Sequence, residues 1–455
     1  MSQKVSVVFG TTQSETETFI NQSSGDFSPV FQDGELQFVV KEVKETEQTL
    51  EKVRMIAGNI SRDVKARKIE KIYVNEQALQ KFFTALDGRQ AVTAFVEGWH
   101  LGAYQFDTYK SEKNATPTLK FMNEPSVKNE VTEGTIRAAA TAFSRDLMNE
   151  IPSKLTPETF PTILADEFAD TGVEVVVHDK KALEKMQMNG LLAVNRGSKH
   201  DPAFIELHYE GDASKPLVAL VGKGVTFDTG GISLKSGRDI SDMRMDMGGA
   251  AAVAGAIKLL AEANASVNVV GLIQTVENMP GKDAMLPGDI IQYKNGKSVQ
   301  IGNTDAEGRL ILADGIIRAG ELQAEYIVDI ATLTGAIARA LGPKIGGIFG
   351  KEPLMVEMKQ VGEASGDFVW PMPLVEAYDK TLKSDYADFK NISTQGEGGA
   401  ITAALFLRRF VPENTNWIHV DMAGVMESKA EGYYGDSATG FGARLLADYA
   451  THVSK

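Results

Sequence analysis

The chain has 455 residues, 43% hydrophobic and 24% charged, a balance close to that of ordinary globular proteins in which nothing points to a fibrous, disordered or membrane class, and its length predicts two domains. It contains no cysteine, so disulfides, thiolate zinc sites, iron–sulfur clusters and cysteine nucleophiles are excluded, and any metal must sit on oxygen or nitrogen. A formal charge of −14 weighs against general binding to phosphate backbones, and no two of the six histidines have His-x-x-x-His spacing, so a metal site would rest on carboxylates.

The opening residues include only a short apolar stretch, without the apolar core and cleavage site of a secretion signal, which predicts a cytoplasmic location. Short β-rich runs at Val5–Phe9, Leu36–Val40 and Lys71–Val74 alternate with helical stretches such as Glu76–Trp99. Ile136, Ala139, Ala140, Phe143 and Leu147 recur at three- and four-residue spacing, which predicts a connecting helix over 133–150. Pro152, Pro157 and Pro161 follow, with Thr156-Pro157 reading as an N-cap and Pro at N1. The domain boundary therefore falls near 150, separating a smaller amino-terminal α/β domain (1–150) from a catalytic domain (151–455).

Beyond it, apolar runs at Pro216–Val221, Val267–Ile273, Tyr326–Leu333 and Trp417–Met422 are separated by helix-like stretches at Gly249–Ala263, Leu310–Ala319 and Ala400–Val411. Near-continuous apolar strands alternating with helices predict an α/β domain, a central mixed sheet flanked by helices on both faces. Ligands of such folds gather beyond the carboxyl ends of strands. No internal repeat and no apolar run of ~20 residues is present.

The chemistry concentrates in two stretches. The first, Val221 to Gly231, carries four glycines with Lys223 and Asp228 and reads as a loop after a buried strand; Lys235 and Asp246 follow in a Gly- and Met-rich context. In the second, Gly302 to Leu310, Asp305, Glu307 and Arg309 stand at i, i+2 and i+4. Convergence on one ligand at that spacing favours an extended or irregular segment, since a helix would place Asp305 and Glu307 roughly 200° apart. The alternative is an acidic loop that merely caps the helix starting at Leu310. So many carboxylates call for a compensating cation, and a pair of divalent ions sharing carboxylates would supply the chemistry of amide hydrolysis.

These residues resemble the leucyl (cytosol) aminopeptidase family: Gly-Lys-Gly-Val-Thr-Phe-Asp-Thr-Gly-Gly at 222–231, Met-Asp-Met-Gly-Gly-Ala-Ala at 245–251 and Asn-Thr-Asp-Ala-Glu-Gly-Arg-Leu at 303–310. Weaker similarity continues at Glu277–Pro280, Ala331–Ala336, His419–Gly424 and Ala438–Gly442, so that it spans about 150–455. The resemblance implies two divalent ions, manganese or zinc. Lys223, Asp228, Asp246 and Glu307 would hold the tighter ion and Asp228, Asp305 and Glu307 the more exchangeable one. A lysine ligand must be neutral. It further implies that Lys235 stays protonated and stabilises the oxyanion, and that Arg309 holds a bicarbonate acting as general base. Met243, Asn303, Thr332 and Gly335 match positions near bound substrate. The expected activity is removal of a leucine-like amino-terminal residue from peptides, by a homohexamer. Thr229 and Met245 stand where many members have Ser and Ala; no ligand position is altered.

Two other readings compete. Asn295-Gly296-Lys297-Ser298 resembles the end of a phosphate-binding loop, but the first glycine would have to be residue 291, which is Ile, and Asn-Gly between β-like runs signals a hairpin. Some relatives also bind DNA, so an additional non-enzymatic, regulatory role is the alternative function; the net charge argues against it. His419, inside an apolar strand, reads as a core residue rather than a ligand.

Overall fold

The computed structural model describes residues 5–10, 20, 24–32, 34–113 and 115–455. The chain divides into two compact units, residues 1–142 with 429–437 and residues 143–428 with 438–455. The division lies inside a helix, Lys128–Asn149, rather than after it, and a segment from near the carboxyl end returns to the amino-terminal unit. That segment carries the turn of a hairpin, and its Tyr433 packs on Gly58, where a Cβ would meet Tyr433 Cβ at 2.3 Å.

The amino-terminal unit has a five-stranded sheet built from β1 (Val5–Phe9), β2 (Phe27–Gln32), β3 (Glu35–Val40), β4 (Lys71–Val74) and β5 (Thr118–Phe121), in the order β2-β3-β1-β4-β5. Only β2 runs antiparallel to its neighbour. The stretch read as helical from Glu76 to Trp99 is two helices, Glu76–Phe82 and Gly88–Ala103, because Asp87 caps the second through the backbone N–H groups of Arg89 and Gln90.

The larger unit has an eight-stranded mixed sheet. Its strands are β6 (Glu174–His178), β7 (Ala203–Glu210), β8 (Leu217–Asp228), β9 (Asn268–Asn278), β12 (Tyr326–Ala331), β13 (Gly346–Gly350), β14 (Val369–Pro371) and β16 (Asn416–Asp421). A small sheet of β10 (Ile290–Gln292), β11 (Ser298–Gln300) and β15 (Phe389–Lys390) accompanies it. The large sheet runs β14-β13-β16-β12-β8-β9-β7-β6, with β16, β12, β8 and β9 mutually parallel at its centre. β10 and β11 pair antiparallel around Gly296 at φ +86°, the hairpin that Asn295-Gly296 signals. The first helix after Pro157 begins at Phe160, not at Pro157: Thr156 bonds Thr159 in a preceding turn, and Pro161 occupies the first helical turn.

β8 is the main departure from expectation. Gly222 and Gly224 do not form a loop; the strand runs on to Asp228 and pairs with β9 along that length, and the turn comes only at Gly230 and Gly231. Gly222 and Gly224 are there for close packing. A Cβ on Gly222 would lie 2.7 Å from Gly249 O, and one on Gly224 2.5 Å from Gln274 O. Gly249, in the first turn of helix α1 (Gly248–Glu262), would place its own Cβ 2.1 Å from Ile330 O. Backbone thus meets backbone where the helix starts over the sheet. Among the described residues, no helix is long and apolar enough to cross a membrane.

Candidate metal centre

The site forms at the carboxyl ends of the four central parallel strands, where ligands of open α/β sheets collect. Asp228 is the last residue of β8. Its Oδ1 accepts from Gly230 N and from Asn278 Nδ2, both at 2.8 Å, and Asn278 is the last residue of β9. Gly230 (φ +87°) and Gly231 (φ +62°) then turn the chain back, so that Lys235 N reaches Thr229 O at 2.9 Å. Both glycines need the left-handed region, and a Cβ on Gly231 would also strike Asn278 Oδ1 at 2.7 Å.

The second stretch, 302–307, is an irregular turn that leads into helix α2 (Gly308–Glu321). Asn303 Oδ1 accepts from Asp305 N at 2.8 Å, and Asn391 Nδ2 donates to Asn303 O at 2.7 Å. Glu307 stands at the helix N-cap, yet its side chain makes no capping bond; its Oε1 lies 2.9 Å from Lys223 Nζ. Capping therefore does not explain this acid. Gly308 lets Lys223 through, since a Cβ there would come within 2.7 Å of Lys223 Cε.

Lys223 Nζ is shared by Asp246 (2.7 Å), Glu307 and the carbonyl of Thr332 (2.8 Å). Asp246 Oδ1 also accepts from Thr332 Oγ1 at 2.8 Å. Lys235 Nζ lies 2.7 Å from Asp228 Oδ2 and pairs with Asp305. One oxygen each of Asp228, Asp305 and Glu307 lies within 4.8 Å of the others, the spacing of a carboxylate metal site. Glu307 Oε2 is buried with no hydrogen-bond partner among the described residues. Four carboxylates against two ammonium groups, nearly all buried, leave an excess of negative charge that suits a cation.

The electrostatics say the same. Burial raises the pKa of Asp246, Asp305 and Glu307, and neighbouring carboxylates, Asp228 among them, add to that rise against the opposing lysines. Burial acts to lower the Lys223 pKa, but Asp246, Glu307 and Asp228 outweigh it, so among these protein charges alone Lys223 is a firm ammonium. The same balance, led by Asp228, holds Lys235 protonated. Arg309, in the first turn of α2, is buried and pushed down to about 10 by desolvation. Its Nη1 donates to Asn391 O at 2.8 Å, while its Nε has no partner among the described residues.

All eleven residues singled out from the sequence line one cavity of about 750 Å³: Lys223, Asp228, Lys235, Met243, Asp246, Asn303, Asp305, Glu307, Arg309, Thr332 and Gly335. Three supporting residues were not assigned from sequence. Asn278 braces Asp228 and also donates to Thr304 O at 3.0 Å; the Glu277–Pro280 motif was its only signal. Asp421, at the end of β16, accepts from Leu333 N, Thr334 N and Thr334 Oγ1 and so fixes the turn before Gly335; a buried acid closing an apolar strand could have marked it. Asn391 has no sequence signal. His419 is fully buried, its Nδ1 2.5 Å from Asp329 Oδ1 and its ring stacked on Phe349, a core residue as its strand context implies.

The family model described as cytosol aminopeptidase family, catalytic domain, matches residues 142–447, and that for the family's N-terminal domain matches 44–113. A probable cytosol aminopeptidase of Persephonella marina is 38% identical over 433 residues, covering 92% of this chain and 86% of that protein. One of Chlorobium limicola is 40% identical over 402 residues, covering 84% and 79%. Among solved structures, the bottromycin maturation enzyme BotP in complex with Mn superposes with a TM-score of 0.91 at 29% identity over 100% of both chains. The chain belongs to the cytosol aminopeptidase family and is a metallo-exopeptidase that removes amino-terminal residues from peptides.

Proposed function

We propose that the enzyme works with two divalent ions, which Lys223, Asp228, Asp246 and Glu307 on one side and Asp228, Asp305 and Glu307 on the other would hold. The observation that carries this reading is the convergence of Asp228, Asp305 and Glu307 oxygens within 4.8 Å beside the buried, partnerless Glu307 Oε2. Oxygen donors and one amine suit manganese or zinc, and the manganese complex of BotP favours manganese. When bound, such ions would polarise a carbonyl and lower the pKa of a water.

The protein's own groups have distinct tasks. Lys223 would serve as a ligand only in its neutral form, since an ammonium beside a dication is disfavoured. Lys235, whose neighbours keep it charged, donates to the oxygen of the scissile carbonyl as negative charge develops there. Arg309 is the seat for bicarbonate: its planar fork suits a planar anion, and its unpartnered Nε–H remains available. Preference for a leucine-like residue is supported by the apolar wall of Met243, Leu333, Ala336, Ala338, Ala423 and Met426. The family resemblance extends the reading to a cytoplasmic homohexamer, which sedimentation velocity would check.

The decisive experiment is hydrolysis of leucine p-nitroanilide by the purified protein, before and after chelation and after adding back manganese or zinc. Turnover should disappear with chelation and return with metal. No turnover under any metal condition would overturn the reading.

A further inference from the structure

The wall of the same cavity carries five basic side chains, and four are engaged. Lys223 is held by Asp246 and Glu307, Lys235 by Asp228 and Asp305, and Arg238 by Asp242 at 3.0 Å; Arg309 is buried against Asn391. Arg339 is different. It is exposed at the cavity wall and has neither a carboxylate nor a hydrogen-bond partner among the described residues.

Arg339 sits on helix α3 (Gly335–Leu341), one turn beyond Gly335, and i and i+4 share a helical face. A Cβ placed on Gly335 would find Arg339 Nη1 at 3.5 Å as its one neighbour within 4 Å among the described residues. Because residue 335 has no side chain, the guanidinium lies open along that wall. A cation in the last turn of a helix gains ~0.3–1 kcal/mol from the helix dipole, but that interaction does not require the side chain to line a cavity. An unpaired guanidinium does offer a rigid fork of N–H donors matched to a carboxylate.

We propose that Arg339 is a specificity-determining residue that recognises a carboxylate of the peptide substrate, carried by an acidic side chain near the scissile bond or by the terminus of a short peptide. The proposal rests on the aminopeptidase reading of this cavity. Arg339 touches no residue of the candidate metal set in any ion pair or hydrogen bond, so it acts on substrate choice and not on the reacting centre.

The test compares kcat/KM within matched pairs for the wild type, Arg339→Gln and Arg339→Glu. Glutamate against glutamine p-nitroanilide reads the first side chain, leucyl-glutamate amide against leucyl-glutamine amide the second, and leucyl-glycine against its amide the terminal carboxylate. Arg339→Gln should lower the acid-to-neutral ratio about ten-fold in at least one pair, the scale of one charge-assisted hydrogen bond at a partly wet site, and Arg339→Glu should lower it further. The pair that moves identifies the source of the carboxylate. Ratios left within about two-fold of wild type in all three pairs, with leucine p-nitroanilide still turned over by the wild type, overturn the role of Arg339 alone. No turnover of any substrate by the wild type overturns the aminopeptidase reading and this proposal with it.

Discussion

Lys223 Nζ lies 2.9 Å from Glu307 Oε1, which joins the middle of a central strand to the residue that opens helix α2. A cation at this position is therefore the natural partner of Glu307, and the second oxygen, Oε2, is left over for another. Glu307→Gln keeps the shape and removes the charge. It should weaken metal binding by more than about 100-fold, the upper end of what losing a mere orienting neighbour costs. Metal content after dialysis, measured by plasma mass spectrometry, checks this; full occupancy in the variant would remove Glu307 from the ligand set.

Lys235 has the opposite expected profile. It pairs with Asp228 and Asp305, but its charge is directed at substrate in the proposed function, so Lys235→Ala should retain both ions. Its kcat should fall about 10²–10³-fold, the size of one lost oxyanion donor. A variant as active as wild type would show that the oxyanion is stabilised elsewhere, and one that lost its metal would show that Lys235 is a structural counter-charge.

Gly249 tests the packing beneath the site. A methyl group there would sit 2.1 Å from Ile330 O and 2.8 Å from Lys223 N, both backbone atoms that cannot step aside. Gly249→Ala should lower stability by about 1–3 kcal/mol through overpacking and, by displacing the strand that carries Lys223, weaken metal binding as well. Thermal unfolding with and without manganese separates the two effects. An unchanged melting temperature in both conditions would mean that helix and sheet can part without cost.

How much of this was legible depended on what kind of signal each feature leaves in a sequence. The parallel core strands were, because continuous apolar runs such as Val218–Val221 suit a sheet covered on both faces, and so was the gathering of the candidate site residues in one cavity, because charges cluster at Gly302–Leu310 beside glycine. The extent of β8 was not. Its glycines are written like a turn, and only the approach of Gly249 and Gln274 backbone shows that they serve packing. Nor was Asn391, whose bonds to Gly302, Asn303 and Ala306 join segments almost ninety residues apart, a relation that local spacing does not encode. The return of 429–437 to the amino-terminal unit is likewise a tertiary choice, invisible to periodicity.

Glu206 carries a pH dependence outside the candidate metal centre. On β7 it faces His178 Nε2 at 3.1 Å, His208 Nε2 at 2.9 Å and Arg318 Nε at 2.8 Å. Burial raises its pKa, but hydrogen bonds from His208 and Arg318, with the charges of Arg318 and His178, bring it down from the ordinary 4.5 to about 2. A carboxyl whose folded pKa is depressed stabilises the fold fully above its unfolded value and loses that contribution as pH falls through the folded one. The window is therefore pH 4.5 to about 2. Glu206→Gln should lower stability by about 1–2 kcal/mol at pH 7, the strength of hydrogen bonds to a charged group trimmed for the partial exposure of its partners. Calorimetric melting of both proteins should show that gap shrinking steadily below pH 4.5; a gap of constant size down to pH 2.5 would mean that Glu206 contributes through shape and not through charge.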